Sequence, residues 1–286
     1  MVLLKKINSI TYVGYRVTER CNKNCPFCFS KEKDQPADSS LPEIKNSLVK
    51  LKEAGATSIG VMGGEPLLRE DIIDVMKLMK EMNFEVILST NAILLKPLLN
   101  RLNGVVDWIS ISLDAADEEN NDKYRGKGQF KKAIEIIELY DPNIHKFKLK
   151  INTVVHKENF NSIDGIGNII GLKPIRWKLL QFTPRRLGKT SKNRFSISLR
   201  KFLSKVNQLK KVYPQTQICL RTYTKNEDYD LLIVRPNGEL LVNKEEDYLN
   251  IGNINETDVK RQLEKINSLS ENYYQENWNE FEESYR

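Results

Sequence analysis

No stretch of this 286-residue sequence holds the ~18 consecutive apolar residues that a membrane-spanning helix needs, so none is expected to cross a bilayer. The opening Met-Val-Leu-Leu-Lys-Lys-Ile-Asn has too short an apolar run for a signal peptide. Cysteine is scarce, with four residues in all, and three of them are bunched. That usage excludes a disulfide scaffold and fits a reducing compartment, so a cytoplasmic location is expected. Histidine is scarcer still: His145 and His156 both lie far down the chain from the bunched cysteines, as does Cys219. A structural zinc site therefore has no fourth ligand close to the three. There is no Lys/Arg stripe interleaved with aromatics, so nucleic acid is not an expected partner. Internal repeats and low-complexity linkers are missing too, which leaves a core plus an extension.

What is present is ordinary in bulk, at 40% hydrophobic and 29% charged residues, with a formal charge of +7 and a pI near 9.0. That balance describes a globular protein and leans towards an anionic substrate. The informative stretch is Glu19 to Ser30, where Cys21, Cys25 and Cys28 stand in the spacing C-x3-C-x2-C with Phe27 before the last. Three thiolates on one irregular loop suit an iron–sulfur cluster. Clusters that only carry electrons usually have four cysteine ligands, so three leave one iron open to a cofactor or substrate.

This loop resembles the signature of the radical S-adenosylmethionine (radical SAM) enzymes. The resemblance implies a 4Fe–4S cluster whose open iron chelates S-adenosylmethionine. Reductive cleavage of that cofactor then gives a 5′-deoxyadenosyl radical, which takes hydrogen from the substrate. Gly63-Gly64-Glu65-Pro66 resembles the GGEP motif of the same family, the segment expected at the amino group of S-adenosylmethionine. Read as residues, the two glycines allow close backbone approach, Glu65 supplies a carboxylate and Pro66 fixes the exit.

Periodicity places these motifs on alternating strands and helices. Strands are expected at Ile10–Val17, Thr57–Met62, Phe84–Ser89, Val106–Leu113, Phe147–Val155 and Ile175–Phe182. Helices are expected over Pro42–Ala54, Asp71–Met82, Leu94–Leu102, Asp117–Tyr124, Phe130–Tyr140 and Asn159–Ile170. The first is signalled by Ser39 or Ser40 with Glu43 and stopped by Gly55. Six β-then-α units without a hairpin predict an α/β fold, a partial (βα)6 parallel barrel of radical SAM type over residues 1–195. Residues 196–286 read as a C-terminal extension capping the barrel. It has a helix over Ser198–Tyr213, a strand at Gln217–Tyr223, a hairpin turning at Pro236-Asn237-Gly238 and an acidic, aromatic tail after Ser270. Cys219 reads as a core residue.

Further site residues follow from the strand ends. By resemblance, Thr90, Asn91, Ser112 and Asp114 are expected at the ribose and methionine carboxylate of the cofactor. The alternative is that they are turn and cap residues. Arg125, in the Gly-flanked break Arg125-Gly126-Lys127-Gly128, could grip a carboxylate or phosphate. Lys148, Lys150 and Asn152 alternate along one strand and so share a face. If that face lines the barrel, an anionic substrate would explain its lysines; otherwise it is a solvated outer face.

Lys150-Ile151-Asn152-Thr153-Val154 and Arg176-Trp177-Lys178-Leu179-Leu180-Gln181 resemble stretches of the viperin-like nucleotide dehydratases, a group linked to antiviral defence. That resemblance implies a nucleotide substrate losing water, held by Lys150, Asn152, Lys178 and Arg125. The sequence departs from the group at Met62, where serine is usual, at Ser58, where a phosphate-contacting lysine is usual, and over Thr183–Gly188. The alternative is a radical SAM enzyme modifying a peptide or small metabolite. No flavin site or second cluster is encoded, so an external one-electron donor, a flavodoxin or ferredoxin, is the expected partner. The residue that moves the substrate's proton is not identifiable from sequence.

Overall fold

The computed structural model describes residues 11–31, 35–223, 231–244, 246–262 and 264. Ile10 of the first expected strand and the tail beyond Ser270 lie outside the described residues. The first unit is β1 (Tyr12–Thr18), the cysteine loop and α1 (Leu41–Glu53). Ser40 precedes that helix, its backbone N–H donating to Glu43 at 2.7 Å, and Gly55 ends the turn after it with φ +97°. Then come β2 (Ser58–Gly63), α2 (Ile72–Glu81), β3 (Glu85–Thr90), a 3₁₀ turn at Lys96–Leu102 and β4 (Trp108–Ser112). α3 (Glu118–Arg125) and α4 (Gln129–Leu139) lead to β5 (Lys148–Val155), α5 (Ile166–Ile170) and β6 (Arg176–Gln181). The helix expected at Asn159–Ile170 is helical only in its last five residues, the earlier part being turns.

Two short helices, α6 (Leu187–Thr190) and α7 (Lys192–Phe195), lead to α8 (Leu199–Val212). The last strands are β7 (Ile218–Arg221), β8 (Leu232–Val234), β9 (Glu239–Lys244) and β10 (Asp247–Asn253). The ten strands among the described residues form one sheet in the order β10-β9-β8-β1-β2-β3-β4-β5-β6-β7. β1 to β7 run parallel in sequence order, and β8 joins the free edge of β1, also parallel. β9 and β10 continue that edge antiparallel, the β8–β9 pair being the hairpin that Asn237-Gly238 signals. The C-terminal segment thus lengthens both edges of the six-strand core.

The register divides the sheet into two faces. Val13, Tyr15, Ile59, Val61, Val86, Leu88, Ile109, Ile111, Leu149, Ile151, Trp177 and Leu179 point to the helix-covered side and form one core with the apolar stripes of α1, α2, α4 and α8. The other face lines the barrel. Its rows are read from paired residues: Ser110 beside Lys150 beside Arg176, and Ser112 beside Asn152 beside Lys178 beside Cys219.

Candidate active site

The cysteine loop leaves the C-terminal end of β1, with Cys21 exposed and Cys25 and Cys28 half-buried, all as free thiols. It is irregular apart from a turn in which the Cys28 N–H donates to the Cys25 carbonyl at 3.2 Å. Phe27 anchors it. The ring is buried among Phe195, His156 and Tyr124, with centroids 5.7, 5.4 and 6.3 Å away. Ser191 donates to the Pro26 carbonyl at 3.0 Å, and Arg16 to that of Ser30 at 3.2 Å. Burial pushes the Cys21 and Cys25 thiols up, and Arg125 opposes the shift at Cys25. Among the described residues no three His, Cys, Asp or Glu side chains converge on a single metal ion. A cluster asks for something different, one thiolate on each of three irons spread around it.

Gly63 and Gly64 lie against that loop. The Gly64 N–H donates to the Thr18 carbonyl at 2.8 Å and the Glu65 N–H to that of Arg20 at 2.7 Å. A Cβ on Gly63 would sit 2.0 Å from the Thr18 oxygen, and one on Gly64 2.1 Å from that of Arg20. Only glycine permits this approach. Glu65 is buried and accepts from the Thr90 hydroxyl at 2.7 Å, the Asn91 N–H at 2.8 Å and the Leu67 N–H at 3.2 Å. Burial raises its pKa, and those three donors hold it back. Pro66 begins the 3₁₀ turn that carries the chain away. Glu65 therefore joins the end of β2 to the end of β3.

Asn91 reaches back to the loop, donating to the Asn22 side chain at 2.7 Å. Ser112 is half-buried at the end of β4, and its carbonyl accepts from Gln129 at 2.8 Å. Asp114, expected at the cofactor, has both carboxylate oxygens engaged within the protein. One accepts from Arg125 and the other from the Val154 N–H at 2.7 Å. Arg125 lies with its guanidinium 5.0 Å from the Phe27 ring and beside Cys25. Burial works against its charge, but the neighbouring Asp114 and Cys25 overcome that and raise its pKa. The arrangement ties Cys25, Phe27, Asp114 and β5 together through one cation.

Deeper in the barrel, Lys150 and Lys178 are buried on the inner face, 4% and 3% exposed. Lys150 has no carboxylate within ion-pair distance among the described residues; its ammonium lies 5.8 Å from the Trp108 ring. Burial lowers its pKa to about 8, and burial together with Lys150 lowers that of Lys178. Around them the Ser110 hydroxyl, the Asn152 side-chain oxygen and one terminal nitrogen of Arg176 are buried without a hydrogen-bond partner among the described residues. Cys219, read as core from sequence, stands on this inner face beside Lys178. Ser58 and Met62 also face inward, on β2, with Ser58 donating to Glu85 at 2.8 Å.

Sequence reasoning missed the supports between these groups. Gln129, fully buried, donates to the carbonyls of Asn91 at 3.0 Å and Ser112 at 2.8 Å and accepts from Asn121 at 2.7 Å. It thereby ties together two strand ends that carry expected cofactor residues. His156, behind the cysteine loop, is held neutral by burial, with its pKa lowered to about 3. No local motif marks either residue, because each acts through partners distant in sequence.

Comparison with known proteins gives this geometry its context. The profile of the Radical SAM superfamily matches residues 15–168, more than half of the chain. An S-adenosylmethionine-dependent nucleotide dehydratase of Lacinutrix mariniflava is 33% identical over 194 residues, covering 62% of this chain but only 40% of that protein. One from Flammeovirga pacifica is 26% identical over 275 residues, covering 91% of each. Among solved structures, Streptococcus suis SuiB bound to its precursor peptide SuiA superposes with a TM-score of 0.71 at 16% identity. That superposition covers 89% of this chain and 64% of SuiB, and it is a likeness of fold. No helix among the described residues is long and apolar enough to cross a membrane. The chain belongs to the radical SAM superfamily: it is a radical SAM enzyme, and the cofactors of that family are a 4Fe–4S cluster and S-adenosylmethionine.

Proposed function

We propose that this enzyme is a nucleotide dehydratase of the viperin-like kind, removing water from a nucleoside triphosphate. The observation that carries this reading is the inner face of β4 to β6, where Asn152, Ser110 and Arg176 present buried polar atoms without a hydrogen-bond partner among the described residues, beside the buried ammonium of Lys150. Buried polar groups are almost always paired, and a buried cation without a counter-charge is costly. A polyphosphate supplies counter-charge and acceptors for Lys150 and Arg176, and the Asn152 oxygen would take a donor from the rest of the nucleotide. The resemblance of two nucleotide dehydratases, one along most of its length, supports the same substrate class.

In this reading Cys21, Cys25 and Cys28 hold the cluster and the segment Gly63–Pro66 lies along the methionine end of S-adenosylmethionine. When bound, these cofactors supply a 5′-deoxyadenosyl radical that removes hydrogen from the substrate. Glu65 keeps Thr90 and Asn91 at the cofactor's edge, and Gln129 locks the Asn91 and Ser112 carbonyls at a fixed separation. Arg125 and Asp114 act as positioning residues, fixing Cys25 and Phe27 against β5. Lys150, Lys178 and Arg176 bind the phosphates, and Asn152 and Ser110 accept or donate to the substrate's polar edge. Electrons come from an external flavodoxin or ferredoxin.

The test is anaerobic. Cluster-reconstituted protein is given dithionite, S-adenosylmethionine and each nucleoside triphosphate in turn, and 5′-deoxyadenosine is followed by mass spectrometry. One nucleotide should accelerate 5′-deoxyadenosine release and yield a product lighter by one water. Cofactor cleavage that no nucleotide accelerates would reject the nucleotide reading and turn the search to peptides.

A further inference from the structure

Tyr248 is brought to the inner face of the barrel by β10, through a chain of pairings that starts far from the cysteine loop. It pairs with Asn243 on β9, whose Leu241 pairs with Ile233 on β8, which in turn pairs with Gly14 on β1. Alternation along each strand puts Tyr248, Leu241, Ile233 and Leu231 on the same side, and these residues pack together with Tyr12. The guanidinium carbons of Arg186, Arg16 and Arg185 lie 4.9, 5.6 and 5.9 Å from the Tyr248 ring centroid. The residue before it, Asp247, accepts from Lys189 at 2.6 Å and pairs with Arg186 at 3.3 Å. Glu246 pairs with Lys192 on α7. These contacts fasten β10 to the segment that follows β6, so the ring is held in one place.

Its hydroxyl is the exception to this order. The Tyr248 oxygen is buried and meets no hydrogen-bond partner among the described residues. A buried phenol usually finds one, and its ring supplies an apolar body with a polar tip. On the inner face, β4 to β6 carry Ser110, Lys150, Arg176, Asn152 and Lys178, whereas β8 and β9 carry Ile233 and Leu241 beside Tyr248, with the guanidiniums of Arg16, Arg185 and Arg186 around its ring. A nucleotide has an anionic tail that suits the lysines and a flat heterocycle with a polar edge that suits an apolar wall flanked by guanidiniums.

We propose that Tyr248 is a specificity-determining residue whose hydroxyl hydrogen-bonds the heterocyclic base, while the β4–β6 cations hold the phosphates. The assignment rests on the nucleotide reading of the site given above. Binding is measured by calorimetry on cluster-reconstituted protein with S-adenosylmethionine, using the four ribonucleoside triphosphates and inorganic tripolyphosphate as probes. Tyr248→Phe removes one oxygen and no existing hydrogen bond, so its Tm should match that of the wild type. It should bind tripolyphosphate as the wild type does, but bind the preferred nucleotide roughly three- to tenfold more weakly, the range of one hydrogen bond. The preference among bases should narrow accordingly. Equal nucleotide binding by the variant and a selective wild type would overturn the Tyr248 assignment alone. A parallel loss of tripolyphosphate binding would also overturn it, reassigning the residue to support of the fold. A wild type that binds tripolyphosphate but no nucleotide more tightly would overturn the nucleotide reading, and this assignment with it.

Discussion

Leu149 and Lys150 are neighbours on β5, and water reaches neither to any extent, yet the fold accounts for one and not the other. Leu149 points out of the barrel into the continuous core beneath the helices. Removing such a side chain from water contributes ~1.5–3 kcal/mol. Lys150 points the other way, where burial lowers its pKa to about 8, the Glu85 carboxylate offsetting only part of the shift and none among the described residues lying within ion-pair distance. The same contrast runs across the sheet: Ile111 against Ser110 and Ser112, Ile151 against Asn152, Trp177 against Arg176 and Lys178. The outward face stabilises the molecule by itself. The inward face holds polar groups at a free-energy cost, which a bound anion would offset on the proposed reading.

The largest expected break in that contrast lies on the outward side. Trp177 is fully buried and donates to the Thr153 hydroxyl at 2.9 Å. Trp177→Ala should lower stability by ~3–5 kcal/mol, read as a shift of the urea midpoint at unchanged slope. On the inward side the sign differs. The folded-state pKa of Lys150, about 8, lies below the ordinary lysine value near ~10.4. Between those two values the unfolded chain binds the extra proton, so stability should rise as pH increases across that window. Lys150 should contribute on the order of 2 kcal/mol of that rise between about pH 7.5 and about pH 10, so the rise should be smaller by roughly that much in Lys150→Met, as urea midpoints of both proteins at the two pH values would show. A smaller effect is expected at the rim where the faces meet. Gln129→Leu leaves the Asn91 and Ser112 carbonyls without their donor and should cost ~1–3 kcal/mol, with weaker S-adenosylmethionine binding as the second readout.

The outward face was readable because its signal is local. Alternation in Phe147–Val155 and Ile175–Phe182 marks the strands, and Ser40 with Glu43 marks the start of α1, each within a few residues. The cysteine spacing and Gly63-Gly64 carry the family for the same reason: each is a short motif with a steric or chemical cause. The edges of the sheet were not readable. β8 lies beside β1, more than two hundred residues earlier in the chain, and its Leu-Ile-Val pattern suits a cap as well as a sheet edge. β10, which carries Tyr248, has no apolar alternation to announce it. The commitment of Asp114 to Arg125 was hidden too, because an aspartate after a strand reads equally as a cap, a cofactor ligand or half of an ion pair. Gln129 becomes informative only once Asn91 and Ser112 are seen to converge on it.

The most direct test of the inward face is nucleotide binding to Lys150→Met beside the wild type, both carrying cluster and S-adenosylmethionine. Methionine keeps an unbranched side chain one heavy atom shorter and removes the ammonium with its charge and donors, so the variant should unfold at the same temperature as the wild type or higher. The account predicts at least a tenfold loss of affinity for the preferred nucleoside triphosphate in that equally stable protein. Unchanged nucleotide affinity would contradict the account, and a markedly less stable variant would contradict it by showing that Lys150 serves the fold.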